Sequence, residues 1–230
     1  PAWRGWALFL LALVAAFLLG MLGASVVQRR QEAERQRPVV PIGDKETDSS
    51  VWGQNYPRQY NTYLEMRETG TRTKYGGAEP RDYLAETPAN VILFAGYGFG
   101  EEYRQARGHL YAIEDVVETA RTGPSSPATC WTCKSPDVPV LMEEMGVAEF
   151  YASDFGDLKE EITHPIGCYD CHDPSTMQLR ITRPALRQAL LARGRDLQDI
   201  SHQEMRSLVC AQCHVEYYFQ GEGDYLTFPW

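Results

Sequence analysis

The sequence has no excess of positive charge. Its 230 residues carry 22 Lys and Arg against 31 Asp and Glu, which gives a formal net charge of −9. Because proteins that bind nucleic acids present a basic surface, this balance excludes that class of partner. Internal repeats and low-complexity tracts are also missing, and the glycine-rich run at 96–100 lacks the lysine and hydroxyl residue of a phosphate-binding loop. A chain of this length and composition holds one folded domain, or two at most.

Charge is missing altogether from the 24 residues between Arg4 and Arg29. About 20 apolar residues cross a bilayer, whereas the apolar part of a cleaved signal has about 7–15. The run therefore predicts a membrane anchor, with a cleaved signal as the alternative. We assign residues 1–37 to this segment and its basic flank, and residues 38–230 to an exported domain with a net charge of −12. Since the chain begins with Pro1 and ends at Trp230, we expect both ends to be cut.

Local patterns predict a mainly α protein with long irregular loops, preceded by one N-terminal transmembrane helix or signal. Helix-start residues, apolar spacing and glycine stops predict helices at 57–68, 109–121, 135–146, 182–194 and 202–218. Strand signals are sparse, and the best candidate covers residues 177–181. Helices joined by much irregular chain are what a polypeptide wrapped around cofactors would show.

All six cysteines fall into three CxxC pairs. The pairs are Cys130 with Cys133, Cys168 with Cys171, and Cys210 with Cys213. His172 and His214 directly follow the second and third pairs, which gives the attachment signature of c-type haem. Two thiols three positions apart reach the two vinyl groups of one porphyrin, and the next residue supplies an axial ligand to the iron. The pattern predicts three covalent haem sites in this chain.

Other uses of CxxC fit this sequence less well. A zinc site needs four converging ligands, and six cysteines with two adjacent histidines divide awkwardly into such sites. A thioredoxin-like redox pair would need a βαβ context, which the sequence does not offer. Structural disulfides rarely occur as three CxxC pairs. Attachment of c-type haem takes place outside the cytoplasm, which agrees with an exported domain.

Lys134 occupies the ligand position of the first pair. From the residues alone two interpretations stay open. In the first, the site is damaged or takes its histidine from elsewhere in the chain. In the second, the lysine amine itself binds iron. A neutral amine can donate its lone pair, and a metal nearby lowers the pKa of lysine enough to allow this. A haem with lysine on one face and nothing on the other has room for a substrate.

The motif CWTCKSPDV at 130–138 resembles the active-site haem motif of the ammonia-forming cytochrome c nitrite reductases, the pentahaem family. An Arg-Gly-His element at 107–109, Arg-Thr-Gly at 121–123 and CAQCHVEYYF at 210–219 match the same family in the same order. The resemblance covers residues 50–230. It implies a multihaem cytochrome c fold and the N-terminal portion of the enzyme, with haem sites 1–3 of five.

The resemblance also implies roles for single residues. Lys134 would be the proximal ligand of the active-site haem, Arg107 the arginine that attracts nitrite, and Tyr217 the tyrosine beside the bound nitrogen species. Glu216, with Tyr217, would bind a structural calcium. The remaining haem residues are thioether cysteines or axial histidines: Cys130, Cys133, Cys168, Cys171, His172, Cys210, Cys213, His214 and, as a distal ligand, His109. Without the resemblance, Arg107 would be read as a surface or propionate-binding arginine.

The implied function is the six-electron reduction of nitrite to ammonium, an oxidoreductase activity, on the periplasmic or extracytoplasmic face of a membrane. The implied partners are nitrite, a quinol-oxidising membrane cytochrome or other electron donor, and a second copy of the chain. Because two further CxxCH sites, an active-site histidine and other calcium ligands are not found, we expect residues 1–230 alone to be an incomplete enzyme. The alternatives are a membrane-anchored, quinol-linked multihaem electron carrier and a related multihaem hydroxylamine or nitrite enzyme.

Overall fold

The computed structural model describes residues 3–35, 38–70, 72–74, 76–77, 79–221 and 224–229. The chain divides into two compact units, Pro1–Pro41 and Ile42–Trp230. Residues 36 and 37, where the sequence places the end of the apolar segment, lie outside the described residues, as do the terminal residues Pro1 and Trp230.

The first unit contains a single long helix. Helix α1, Trp3–Arg35, has 33 residues and no acidic residue in its first turn. At a rise of about 1.5 Å per residue, it is about 50 Å long, which exceeds the roughly 30 Å of a bilayer core. Within the stretch Trp3–Glu34, an 18-residue window has a mean hydropathy of 2.6, and none of the residues in that window is buried within the protein. The predicted N-terminal apolar helix is confirmed; a membrane anchor and a signal sequence would both meet this criterion of length and hydropathy.

The second unit is built from short helices with long irregular connections, as predicted. Its α-helices are α2 Ser49–Asn55, α3 Pro57–Leu64, α4 Tyr83–Glu86, α5 Ala89–Leu93, α6 Ala112–Glu118, α7 Asp137–Glu144, α8 Val147–Ala152, α9 Cys168–Cys171, α10 Pro184–Ala192 and α11 His202–Ala211. Two antiparallel pairs of strands complete the described part, β1 Arg72–Thr73 with β2 Gly76–Gly77, and β3 Tyr218–Gln220 with β4 Tyr225–Thr227.

Two local predictions differ from the structure. The helix predicted for 202–218 begins as expected, with Ser201 accepting a hydrogen bond from the Glu204 N–H, but it ends at Ala211. The third CxxC pair then forms a tight turn, and residues 218–220 enter strand β3. The strand predicted for 177–181 is also wrong, because Met177 has a φ of +60°, which is incompatible with an extended strand.

The apolar core surrounds the first CxxC pair. Trp131, between the two cysteines, is fully buried, and its ring stacks on Phe155 with centroids 4.0 Å apart and an interplanar angle of 3°. Its indole N–H donates to the Phe155 carbonyl at 2.9 Å. Val138 and Phe150, from α7 and α8, and Leu186, from α10, are equally buried in this cluster. The first pair is therefore held by the best-packed part of the domain.

Asp137 joins the start of α7 to the segment before the second CxxC pair. Its carboxylate accepts hydrogen bonds from the N–H groups of Thr163 and His164, both at 2.9 Å, and contacts His164 Nδ1 at 3.0 Å. Burial alone would raise the pKa of Asp137, but these hydrogen bonds, together with one from Thr47, hold it below its usual value. The ionised form therefore stabilises the fold.

We expect the free energy of unfolding to fall as the pH drops below about 4, the pKa of an unfolded aspartate. A carboxyl with a lowered folded pKa contributes its full stabilisation above the unfolded value and loses it as the pH falls through the folded value. The substitution Asp137→Asn should lower stability at neutral pH and flatten this acid dependence. Chemical unfolding of the haem-loaded protein at several pH values measures both effects. An unchanged acid slope in Asp137→Asn, equal to that of the exposed-site control Asp199→Asn, would contradict the prediction.

Candidate functional site

Each CxxC pair lies on a single turn of helix that brings its two cysteines to the same side. In the second pair the His172 N–H donates to the Cys168 carbonyl at 3.0 Å, and in the third the His214 N–H donates to the Cys210 carbonyl at 2.9 Å. The first pair has a tighter turn, in which the Lys134 N–H reaches the Trp131 carbonyl at 2.9 Å. Residues three apart on a helical turn face the same way, so all three turns can present two thiols to one porphyrin edge.

The three pairs are neighbours in space. The thiols of Cys133 and Cys213 are hydrogen-bonded to each other; this contact lowers the pKa of Cys133 and raises that of Cys213. Burial raises the pKa of Cys171 to about 12, and Cys210 of the third pair contributes to the same effect. All six cysteines are free thiols, so none of the pairs is a disulfide. Cofactors attached to these turns would lie close enough to exchange electrons.

The imidazole rings of His109 and His214 are neighbours, at a separation that two ligands of one iron atom would have. Their ring centroids are 6.0 Å apart, with 40° between the ring planes. A metal–imidazole bond is about 2 Å long and the ring centre lies about 1 Å behind the nitrogen, so two imidazoles on opposite faces of one iron have centres about 6 Å apart. Burial and the neighbouring His214 both lower the pKa of His109, which favours the neutral ring that can bind metal.

Backbone geometry places His109 in this position. Gly108 has a φ of +104°, a left-handed conformation that favours glycine, and a Cβ there would meet Met66 Sδ at 3.2 Å. The chain turns at Gly108 into a short 3₁₀ helix, His109–Tyr111, that leads into α6. The glycine of the Arg-Gly-His element is thus explained by the turn that directs the histidine.

His172 is oriented by a local turn. Its Nδ1 lies 2.9 Å from the Met177 carbonyl, which can only accept a hydrogen bond, so Nδ1 carries the proton. Asp173 builds the turn by accepting hydrogen bonds from Ser175 and Thr176. The other ring nitrogen, Nε2, then carries no proton and has a lone pair available for a metal ion. A metal-binding histidine is commonly held in this way by a carbonyl on its other nitrogen.

Lys134 is half-buried next to the thiols of its own pair. Its positive charge acts on both Cys130 and Cys133, where it opposes the effect of burial on the thiol pKa. Among the residues that the structure describes, no carboxylate lies within 4.0 Å of the ammonium group. Because no carboxylate holds this amine among the described residues, the side chain fits the role of an axial ligand.

Tyr217 and Arg121 lie beside the first pair. Burial raises the pKa of the Tyr217 hydroxyl, Cys133 and Cys130 add to the rise, and the Arg121 guanidinium opposes it. The Arg121 charge also lowers the pKa of Cys130, which burial raises. The Arg121 side chain is exposed, stacks on Phe99 at 4.8 Å, and has no ion-pair partner in the described part of the chain. Reasoning from the sequence missed this arginine as a site residue, although it belongs to the Arg-Thr-Gly element noted above.

Arg107, the arginine selected from the sequence, is occupied by carboxylates of α6. Its guanidinium lies 2.7 Å from Asp115, 3.2 Å from Glu114 and 3.8 Å from Glu118, and it stacks on Tyr111 at 4.1 Å. Three acidic neighbours neutralise the charge that an anion would need. These contacts connect the Arg-Gly-His turn to the following helix.

Glu216 follows the third pair on an exposed, irregular segment between α11 and β3. Within the described ranges, no three His, Cys, Asp or Glu side chains converge on a point that could hold a metal ion. The zinc alternative for the cysteines therefore has no four-ligand site in this part of the chain. A calcium ion at Glu216 and Tyr217 would need further oxygen ligands from other groups.

Short helices around three adjacent CxxC turns, two followed by histidine and one by lysine, are the arrangement expected of a multihaem c-type cytochrome. The family model of cytochrome c552 matches residues 48–230, so the chain belongs to the cytochrome c552 family. Nearly the whole second unit falls within this match.

Relatives carry the name cytochrome c-552. The chain is 48% identical over 238 residues to the protein of Bacteroides fragilis, an alignment that covers 100% of this chain and 48% of the relative. It is 48% identical over 242 residues to that of Porphyromonas gingivalis, with the same coverage. For Desulfotalea psychrophila the identity is 42% over 220 residues, covering 91% of this chain and 41% of the relative. The chain spans about half the length of the relatives it matches.

A solved structure has the same fold. The cytochrome c nitrite reductase of Desulfovibrio desulfuricans ATCC 27774, a catalytic subunit (NrfA) described with two calcium sites, superposes with a TM-score of 0.76 and 34% sequence identity. The match covers 83% of this chain and 45% of that chain. The resemblance seen in the sequence is confirmed at the level of family and fold.

Proposed function

We propose that the protein containing this chain reduces nitrite to ammonium at a lysine-ligated c-type haem attached to Cys130 and Cys133. The observation that carries the proposal is Lys134, a half-buried lysine at the ligand position of the first pair, without a carboxylate partner among the described residues. The two cysteines of the same pair interact electrostatically with Tyr217, and Cys130 does so with Arg121. The nitrite reductase of Desulfovibrio desulfuricans, which shares the fold, supports the choice of substrate.

A haem held by Cys130, Cys133 and Lys134 would supply a binding site for nitrite and a route for electrons to it. The chain supplies the rest. Lys134 would hold the haem iron through its amine nitrogen. The conversion of nitrite to ammonium takes six electrons and eight protons and releases two water molecules. The Tyr217 hydroxyl, which is protonated at neutral pH like that of any tyrosine, would donate a hydrogen bond to an oxygen atom of nitrite.

An arginine in the site would attract the anion and stabilise the charge that develops as N–O bonds break. Arg107 was the candidate from the sequence, but its three carboxylate neighbours support a structural role. Arg121 has no such partner among the described residues and its charge reaches both Tyr217 and Cys130. We therefore propose Arg121 for the nitrite-binding role.

The second and third pairs would carry the haems that deliver electrons. His172 would be the proximal ligand of one, and His214 with His109 as its distal partner would bind the other. The 6.0 Å separation of the two rings supports the last assignment. Contact between Cys133 and Cys213 supports direct electron transfer between the haems of the first and third pairs. By the family resemblance, the complete protein would carry five haems.

Other parts of the proposal concern ions and partners. Glu216 and Tyr217 would bind calcium, supported by the two calcium sites named for the Desulfovibrio protein. Helix α1 would export the domain to the periplasmic face and anchor it in the membrane. The electron donor would be a quinol-oxidising membrane cytochrome, and the enzyme would act as a homodimer.

The test is a spectrum and an assay of the complete protein, produced with haem-maturation machinery. We expect one high-spin haem that binds nitrite or cyanide, together with low-spin haems, and stoichiometric formation of ammonium from nitrite with a strong reductant. A protein in which every haem is low-spin and unreactive toward cyanide would instead be an electron carrier, and the proposal would fail.

The two arginines can be separated by substitution. Arg121→Gln should lower kcat/KM for nitrite by about 100-fold, the typical effect of removing one charge-stabilising donor. Arg107→Gln should leave kcat/KM within about twofold, because it removes an exposed network of ion pairs. Steady-state kinetics with nitrite measure both. If Arg107→Gln gave the larger loss, the sequence-based assignment would stand and Arg121 would be the structural residue.

A further inference from the structure

A cluster of three buried polar side chains lies at the centre of the second unit. Arg183 is 1% exposed, and Asp170 and Gln212 are each 2% exposed. We call these three residues the clasp. The nitrite chemistry proposed above does not use them. Their burial therefore requires another reason.

Arg183 connects the first two CxxC turns. Its Nε donates to the Thr132 carbonyl at 2.6 Å, and its Nη2 donates to the Ser135 carbonyl at 2.9 Å, on either side of Cys133 and Lys134. The same Nη2 lies 2.5 Å from the Asp170 carboxylate in the second turn. The remaining nitrogen, Nη1, donates to the Thr182 hydroxyl at 2.7 Å. The guanidinium thus has a partner at each nitrogen.

Gln212 connects the third turn to the same centre. Its side-chain oxygen accepts hydrogen bonds from the N–H groups of Thr182 at 2.9 Å and Arg183 at 3.1 Å. Its side-chain nitrogen donates to the Asp170 carbonyl at 2.9 Å. The same nitrogen also donates to the Val209 carbonyl of α11 at 3.0 Å, so the amide joins the third turn to the second turn and to the segment that carries Arg183.

The contacts fall at the same position of each motif. Thr132, Asp170 and Gln212 each directly precede the second cysteine of their pair. The clasp therefore joins the three turns at equivalent points, through partners separated by up to 51 residues in the chain. A displacement of any one turn would break hydrogen bonds to the other two.

The charges of the clasp reach the second cysteine of every pair. Burial raises the pKa of Cys171, with Asp170 adding to the rise and Arg183 opposing it. For Cys133 and Cys213 the largest effects on the pKa come from their mutual hydrogen bond and from burial. Asp170 also raises the pKa of each of these thiols, and Arg183 also lowers it. The ion pair thus lies among the three points at which haem would be attached, in a part of the protein that excludes water.

Stability alone does not account for a buried ion pair. Replacing such a pair by apolar residues of similar volume is often neutral or stabilising, because desolvation offsets the attraction between the charges. A pair that is fixed among redox centres has a second effect. Its two charges cancel at a distance, and the loss of either one would leave a full charge acting on the neighbouring iron atoms in a medium of low dielectric constant.

We propose that the clasp positions the three haem-attachment turns relative to one another and sets the reduction potentials of their haems by holding a balanced pair of charges between them. Arg183 and Asp170 are positioning residues and contact no substrate. This inference rests on covalent haem at the three CxxC pairs, which belongs to the proposed function.

The test uses the complete haem-loaded protein and a cycle of variants. Asp170→Asn leaves the Arg183 charge unbalanced, which disfavours the oxidised, more positive haem. We expect the midpoint potential of at least one haem to rise by about 59 mV, which corresponds to a tenfold change in its one-electron equilibrium constant. The double variant Asp170→Asn, Arg183→Met removes both charges, and its potentials should return toward those of the wild type. Spectroelectrochemical titration measures each step.

Two further variants complete the design. Arg187→Met removes an exposed arginine one turn further along α10 and should leave all potentials unchanged. Arg183→Lys keeps the charge but loses the fork of donors, so its potentials should stay closer to the wild type than those of Asp170→Asn. If the double variant does not accumulate as folded protein, the comparison of the midpoint potentials of Asp170→Asn and Arg183→Lys tests the inference.

The inference is overturned if Asp170→Asn leaves every midpoint potential unchanged. It is also overturned if the potentials of the double variant differ from those of the wild type by more than those of Asp170→Asn, as a purely structural role predicts. The underlying proposal fails in a different way, because a wild-type protein without covalent haem would show no pyridine haemochrome spectrum. A wild type that contains haem and reduces nitrite, with potentials insensitive to Asp170→Asn, would overturn the clasp alone.

Discussion

Replacing Lys134 with alanine is expected to reduce nitrite turnover by about 100-fold or more. Loss of a residue that only supports a metal ligand costs up to about 100-fold in activity, and Lys134 is proposed as a ligand itself. The cysteines are intact in this variant, so the haem of the first pair should still be attached. What is lost is the half-buried amine at its proximal position. Activity assays with nitrite, together with the absorbance and electron paramagnetic resonance spectra of the ferric protein, check both parts of this expectation.

The matched control is Lys159→Ala, which removes an exposed lysine of the same domain and should have full activity and an unchanged spectrum. Lys134→His tests the chemistry further, since it restores a nitrogen donor of different geometry and should recover part of the activity. Full turnover in Lys134→Ala with an unaltered high-spin signal would refute the assignment of lysine as the ligand and leave the damaged-site interpretation.

The largest loss of stability is expected from Trp131→Ala. Trp131 is fully buried, stacked on Phe155 and hydrogen-bonded to its carbonyl, so its truncation leaves a cavity beside the first CxxC turn. Burial losses of this kind cost about 3–5 kcal/mol of the free energy of unfolding. Chemical unfolding of the haem-loaded variant and wild type, followed by far-ultraviolet circular dichroism, measures the difference.

Trp131→Phe is the informative comparison, because it retains an aromatic ring and loses the indole N–H. Its cost should be close to that of one buried hydrogen bond plus a small volume change, well below the alanine value. An alanine variant within about 1 kcal/mol of the wild type would mean that the core is supported elsewhere and that the tryptophan is needed only for haem attachment.

Local features of the fold follow from the sequence because they depend on residues close together in the chain. The CxxC spacing, the capping residue Ser201 and the uncharged run before Arg29 each determine a helix or a turn through neighbours within about four positions. The left-handed backbone at Met177 is local too, but a strand pattern of alternating side chains conceals it. The helix after Ser201 ends early, because the haem-binding turn requires its own geometry.

Side-chain partners across long separations could not be read in this way. From the sequence alone, nothing distinguishes Arg107 from Arg121. Only the folded chain shows that Arg107 contacts three carboxylates, whereas Arg121 stacks on Phe99 and has no ion-pair partner among the described residues. Asp170 and Gln212 look like ordinary polar residues between cysteines. Their common partner, Arg183, lies 13 and 29 positions away, and no periodic pattern connects them.

The contact between the thiols of Cys133 and Cys213 has a consequence for the biogenesis of the protein. In an oxidising compartment, two touching thiols from different pairs can be joined into a cross-link that blocks both haem sites. A thioether cannot be oxidised in this way. Attachment of haem at either turn would convert one of these two thiols into a thioether and so prevent this cross-link. The close approach of Cys133 and Cys213 would thus make haem attachment a protection against a mispaired disulfide.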